Sequence, residues 1–192
     1  MQQPLRCKCG TVRGTVQLES GHGMRVVCYC GDCRAFAHAI TRSDILDANG
    51  GSEIYWTTPS RMQLTAGVDQ VRCLRLSEKG LFRWYAGCCN TPIANTMGNP
   101  GMPFLSLMTT FIDAPDPSAL GPQRYVQTER ALGTLPAHVK PSKIIVSAII
   151  NIIGARLRGQ HKPNALFPDG KPIAAPRVLP STERETLRAQ SA

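Results

Sequence analysis

The chain has 192 residues, enough for one domain with an appendage and for a core that does not need metal to hold it together. Its composition, 42% hydrophobic and 18% charged, is that of an ordinary soluble protein. The net charge of +9 is uneven: residues 140–192 carry nine Lys or Arg against three Asp or Glu, while residues 1–139 carry thirteen against ten. That basic excess favours anionic partners in general, but no block of like charges singles out nucleic acid, and the sparse aromatics (6%) are not interleaved with the basic residues as a nucleic-acid surface requires.

The N-terminus, from Met1 to Cys7, lacks the apolar run of a signal peptide. The longest apolar stretch, Ile144 to Ile153, is broken by Ser147 and Asn151 and is about half the length that crosses a bilayer. The expectation is a cytoplasmic protein with no membrane span. In a reducing compartment clustered cysteines more often bind metal or do chemistry than form disulfides. All eight cysteines lie in the first 89 residues.

In chain order, Cys7-Lys8-Cys9-Gly10 comes first, a ligand pair that cannot close a metal site alone. Residues 11–18 alternate as a half-buried strand does. His22 lies between two glycines in an expected turn, a structural or surface histidine rather than a ligand. Arg25-Val26-Val27 leads into Cys28-Tyr29-Cys30-Gly31-Asp32-Cys33, three thiolates within six residues, with Gly31 expected to let the turn fold back sharply. Three protein ligands without an obvious fourth is the pattern of an open zinc site. The competing reading is a redox dithiol at Cys30 and Cys33, which ignores Cys28 and lacks a surrounding βαβ pattern. His38 is a minor candidate for proton transfer.

Further strands are expected at 53–56, 62–64, 71–76, 81–85, 104–111 and 124–126, separated by Gly, Pro and Ser/Thr turns. Cys73 sits mid-strand among apolar neighbours, where core packing is favoured over a role as fourth ligand. Cys88-Cys89 is the natural complement of Cys7 and Cys9, and the four would make a closed structural site, although adjacent cysteines chelate less readily than Cys-x-x-Cys. This spacing describes an antiparallel β domain over residues 1–135. A helix is expected after Ser142, as N-cap, to about Arg158, with Gly159 beyond its end. Ile145, Ile149, Ile152 and Ile153 would dock on the sheet or on a partner subunit (a homo-oligomer), or else anchor at a membrane interface. Residues 140–192 thus form a second region, the helix followed by an extended basic tail punctuated by Pro163, Pro168, Pro172, Pro176 and Pro180.

Cys7-Lys8-Cys9-Gly10, Cys28-x-Cys30-x-x-Cys33 and Arg83-Trp84-Tyr85-Ala86-Gly87-Cys88-Cys89-Asn90 together resemble the glutathione-dependent formaldehyde-activating enzyme family, which includes centromere protein V. The resemblance covers roughly residues 5–110 and implies a divergent branch. It implies a β-tent zinc fold with two zinc ions, one structural and one exchangeable at Cys28, Cys30 and Cys33. It also implies a carbon–sulfur lyase joining formaldehyde to glutathione as S-hydroxymethylglutathione. The family's late motif, Phe-Cys-x-x-Cys-Gly, places its first cysteine at Ala86 and its glycine at Asn90 here. Either Cys88 replaces the lost ligand after a local shift or the structural site is altered. Arg25 and Arg34 flank the three-cysteine cluster and are placed to meet substrate carboxylates or simply solvent. The alternative to an enzyme is a zinc-stabilised binding module that uses its basic tail for an anionic partner.

Overall fold

The computed structural model describes residues 1–18 and 23–189, so the expectation at His22 lies outside the described residues. In chain order the elements are β1 (Gln2–Arg6), β2 (Arg13–Gln17), β3 (Met24–Cys28), α1 (Gly31–Ala39), β4 (Ser52–Thr57), β5 (Met62–Ala66), β6 (Val71–Arg75), β7 (Phe82–Ala86), β8 (Thr91–Thr96) and β9 (Leu105–Met108). They continue with α2 (Pro117–Leu120), β10 (Arg124–Val126), α3 (Ile145–Leu157), β11 (Pro176–Val178) and α4 (Ser181–Ala189). The fold is mainly β, as expected. β1, β2 and β5 make a three-stranded sheet, and the other strands make an eight-stranded sheet in the order β10-β3-β4-β9-β8-β7-β6-β11.

The small sheet shows why alternation was readable. Along β2, Gly14 and Val16 point inward while Arg13 and Gln17 face solvent, the period of two that a half-covered sheet imposes. The centre of the large sheet gives no such pattern, because β8 is buried at every position. Its Pro92 would break an ordinary ladder, but it pairs with Tyr85 at a register shift in β7, where a bulge relaxes the demand for an N–H donor. The stretch 104–111 is shorter as a strand than expected: β9 ends at Met108 and a 3-10 turn, Thr109–Phe111, follows.

The main core is drawn from both sheets, with Leu5, Val16 and Met62 of the small sheet packed in one cluster with Trp84, Ile93 and Leu107 of the large one. The chain beyond α3 belongs to that core. Leu166 and Phe167 are buried in it, and the Phe167 ring lies 5.7 Å from Phe82 and 5.5 Å from Trp84. β11 then adds an edge strand parallel to β6, and α4 brings Leu187 against the cluster of Ala35, Phe36 and Ile40 under α1. The spaced prolines predict an extended segment, and the apolar Ala165-Leu166-Phe167 run between them is what docks it. Phe167→Ala should therefore destabilise the protein by about 3–5 kcal/mol, the range for emptying a buried aromatic site. For a chain of this size that lowers the thermal midpoint by about 6–20 °C. A midpoint within about 2 °C of the parent would show that the C-terminal segment contributes no core.

α3 forms where a helix was expected, but its start differs. Ile144 occupies the N-cap position without a side-chain cap, because the Ser142 hydroxyl is taken up accepting the Tyr125 N–H at 3.1 Å. Its end matches expectation. Gly159 has φ of 69°, and the Gly159 and Gln160 amides donate to Arg156 and Ala155 carbonyls at 3.1 and 2.9 Å, a Schellman closure. The inward side of α3 is Ile144, Ala148, Ile152 and Ala155. Ala148 and Ile152 line a small cavity with Met24, Trp56 and Phe104. Ile149 and Ile153 are exposed instead of docked, and the Ile145 side chain lies outside the described set.

Candidate metal centres

The first centre is built from two turns brought together by the sheets. Between β1 and β2, Cys7 and Cys9 stand on a tight loop closed by the Gly10 amide donating to the Cys7 carbonyl at 2.8 Å; Gly10 has φ of 80°, which a side chain would disfavour. Between β7 and β8, the Cys89 and Asn90 amides both donate to the Ala86 carbonyl, at 3.3 and 2.7 Å, and Asn90 takes φ of 56°. This turn presents Cys88 and Cys89 to the first pair. The sulfurs of Cys7, Cys9, Cys88 and Cys89 all lie within 4.8 Å of one another. Cys7 to Cys9 is 3.5 Å, Cys9 to Cys88 3.3 Å and Cys7 to Cys88 3.9 Å. Four thiolates at ~2.3 Å from a tetrahedral zinc sit ~3.8 Å apart, so the donor set fits that ion.

Neighbouring groups tune these sulfurs. The Val12 amide donates to Cys7 Sγ at 3.2 Å, while the Thr11 and Thr91 hydroxyls contact Cys9 and Cys89 at 3.2 and 3.1 Å. Hydrogen bonds from the Thr11 side chain and backbone, with Cys88 adding, bring Cys9 down to about 6. Burial, then contact with Cys9 and Cys89, pushes Cys88 up to about 12. One sulfur is thus ready as thiolate near neutral pH and its neighbour gives up a proton only to a competing cation, which makes metal affinity rise with pH.

The second centre lies where β3 ends. Cys28 is the last residue of β3, Cys30 occupies the N-cap of α1, and Cys33 lies in its first turn. Gly31, expected to enable a sharp turn, is simply the first residue of α1, with open space where a side chain would project; the helix itself folds the chain back. The three sulfurs lie within 4.8 Å of one another. Cys28 is buried with Val26, Ile54, Met108 and Ile144, and Ile45, Trp56 and Val126 pack at the margin. Hydrogen bonds from Cys28 and Cys33 hold the Cys30 thiol far below the ordinary thiol range, with the Arg83 charge adding to them against burial. The same contacts, with burial, push Cys28 up. Cys33 is likewise pushed up, so a cation binding here would have to displace the protons of Cys28 and Cys33.

Arg83 is the residue that sequence reasoning passed over. It sits mid-β7 and is only 4% exposed, on the face opposite Phe82 and Trp84. Its guanidinium stacks 5.4 Å over the Phe36 ring and donates to Asn95 Oδ1 at 3.3 Å, and its charge acts on both Cys30 and Cys33. Among the described residues no carboxylate pairs with it. The signal was there, a lone arginine inside an apolar strand, since buried charges are rare unless something compensates them. The two arginines singled out from sequence do other work. Arg34 is buried and donates to the Tyr29 and Arg130 carbonyls at 2.6 and 2.9 Å, while Arg25 pairs with Glu53.

Cys73 stands apart from both clusters, packed in the main core opposite Trp84, where burial pushes its thiol up to about 12. His38 lies at the far end of α1, and among the described residues no contact joins it to the three sulfurs. No helix among the described residues is long and apolar enough to cross a membrane.

No curated protein matches the chain. A solved protein of Rhodobacter sphaeroides, a Northeast Structural Genomics target, is similar to it at 16% identity with a TM-score of 0.46, over 66% of this chain and 100% of that one. The sequence profile of a family of unknown function, DUF6151, matches residues 1–176, and the chain belongs to that family.

Proposed function

We propose that the protein is a two-zinc enzyme of the carbon–sulfur lyase type, acting on a small thiol such as glutathione or on its aldehyde adduct. The observation that supports this most is the division of seven cysteines into a closed set of four and an open set of three. The first, Cys7, Cys9, Cys88 and Cys89, saturates a tetrahedral ion and ties two turns together. The second, Cys28, Cys30 and Cys33, leaves one position for a ligand from outside. The motif resemblance to the glutathione-dependent formaldehyde-activating enzymes supports the same assignment.

Cys28, Cys30 and Cys33 would hold a zinc ion, whose formal charge of −1 with three thiolates would favour keeping a thiol substrate deprotonated over generating hydroxide. The chain's own residues make such a centre tenable in a largely apolar cluster. Arg83 supplies the compensating positive charge from the sheet. Cys30 and Cys33 stand at the N-cap and in the first turn of α1, the positive end of the helix dipole. Ile45, Trp56 and Val126 limit water around the sulfurs. In the reaction, the substrate sulfur forms a bond to the formaldehyde carbon as the carbon–oxygen π bond breaks, and the proton lost by the thiol ends on the new hydroxyl. The reverse direction cleaves the adduct.

The test is NMR of carbon-labelled formaldehyde with glutathione, with and without the zinc-loaded protein. Exchange between free and adduct formaldehyde faster than in the protein-free mixture supports the assignment. Exchange equal to that background removes it and leaves a zinc-stabilised binding module.

A further inference from the structure

α3 is apolar on two sides, and only one of them is used. Its inward side packs on the domain, while Val146, Ile149, Ile150, Ile153 and Leu157 are exposed by 70, 52, 63, 57 and 83%. At spacings of three, four, seven and eleven from Val146 they form one continuous stripe. A helix on a solvated surface carries polar residues there, and a contiguous aliphatic patch marks a surface with a partner.

The rim shows which partner. Lys140 and Lys143 precede the helix, Arg156 and Arg158 end it and Lys162 follows, all exposed. Residues 131–168 contain no Asp or Glu, and among the described residues none of the five cations is in an ion pair. A second copy seated on the same face would be related by a twofold axis. Antiparallel helices would then set Lys140 and Lys143 of one copy against Arg156 and Arg158 of the other, and parallel helices would set like against like. Both arrangements bring cations together. An aliphatic stripe rimmed by unpaired cations instead fits a boundary that is hydrocarbon inside and anionic at its surface. With 13 residues, α3 is ~20 Å long, shorter than a bilayer core, and one side is committed to the domain, so it would lie in the plane of the interface.

We propose that the outer face of α3 docks the protein on anionic lipid bilayers, with the aliphatic stripe entering the acyl boundary and the five basic residues meeting lipid phosphates and carboxylates. This docking does not depend on the reaction assigned to the cysteines.

The test is co-sedimentation of the full-length zinc-loaded protein with phosphatidylcholine vesicles, with and without about 30% phosphatidylserine. Binding is expected only to the anionic vesicles, and it should fall at least about tenfold in about 0.5 M salt. The double variant Ile150→Glu/Ile153→Glu should also bind at least about tenfold more weakly. Both positions are exposed, so its thermal midpoint and zinc content should match the parent and report that it folds. Absence of binding to either vesicle overturns the proposal, as does binding that the double variant retains. A dimer in light scattering that the double variant dissolves, without vesicle binding, would assign the face to a second copy instead.

Discussion

Cys7→Ser should lose the zinc of the four-cysteine centre and about 4 kcal/mol or more of stability, because a ligand present at a thousandfold its dissociation constant contributes about that much. Cys7 is the buried member of its set, accepts the Val12 amide, and has Cys9 and Cys88 at 3.5 and 3.9 Å. Serine offers an alcohol that stays protonated at neutral pH and cannot replace the thiolate. Two turns 81 residues apart in sequence would then lose their shared cross-link. The thermal midpoint should drop by about 8–16 °C. A chelator added to the parent should reproduce most of the drop, while the variant should respond little to it. Equal midpoints and equal metal content in parent and variant would remove the structural role of this centre.

Cys30→Ser should behave differently: metal content falls by one ion per chain, and the fold persists. Cys30 sits at the N-cap of α1, where its side chain makes no capping hydrogen bond, so serine costs the helix nothing and even offers a better cap. The loss falls on the metal. With two thiolates left, affinity should drop by more than the ~10–100-fold typical of outer-shell changes. Formaldehyde exchange with glutathione should return to background in the same variant. Metal content measured by mass spectrometry on the purified variant decides the matter: an unchanged count contradicts an open site at Cys28, Cys30 and Cys33.

Both clusters were legible in the sequence because their ligands are local. Cys7 with Cys9, and Cys28 with Cys30 and Cys33, are each held by a single turn, and residue spacing alone determines what one turn can bring together. Pairing the first set with Cys88 and Cys89 was a guess about tertiary structure that the sheets fulfil. What spacing could not show is why Ala86 need not be a ligand. The turn Gly87 to Asn90, with its left-handed Asn90, presents two consecutive sulfurs instead. α1 was missed because Cys30 gives no capping signal and Ala35, Phe36 and Ala37 are buried in a row, without the spaced stripe of a surface helix. Arg83 was missed because its partners, Phe36 and the sulfurs on α1 and Asn95 on β8, come from elements that spacing along β7 does not reach. The expected strands at 53–56, 71–76, 81–85 and 124–126 match β4, β6, β7 and β10 to within about two residues, whereas β1, despite its alternation, and the fully buried β8 carry no such expectation.

The two outer strands of the large sheet have a consequence for how the chain is made. β10 covers β3 from about a hundred residues downstream, and β11 likewise covers β6. While the polypeptide emerges from the ribosome, the six inner strands are therefore all made before either edge strand. The β3 flank of that nascent sheet stays an open hydrogen-bonding edge until residue 126 has emerged, and the β6 flank until residue 178. Open edges are where growing chains pair with one another. Late closure, more than final stability, would then set the yield of soluble protein, and shortening the chain before residue 178 would leave one flank permanently open.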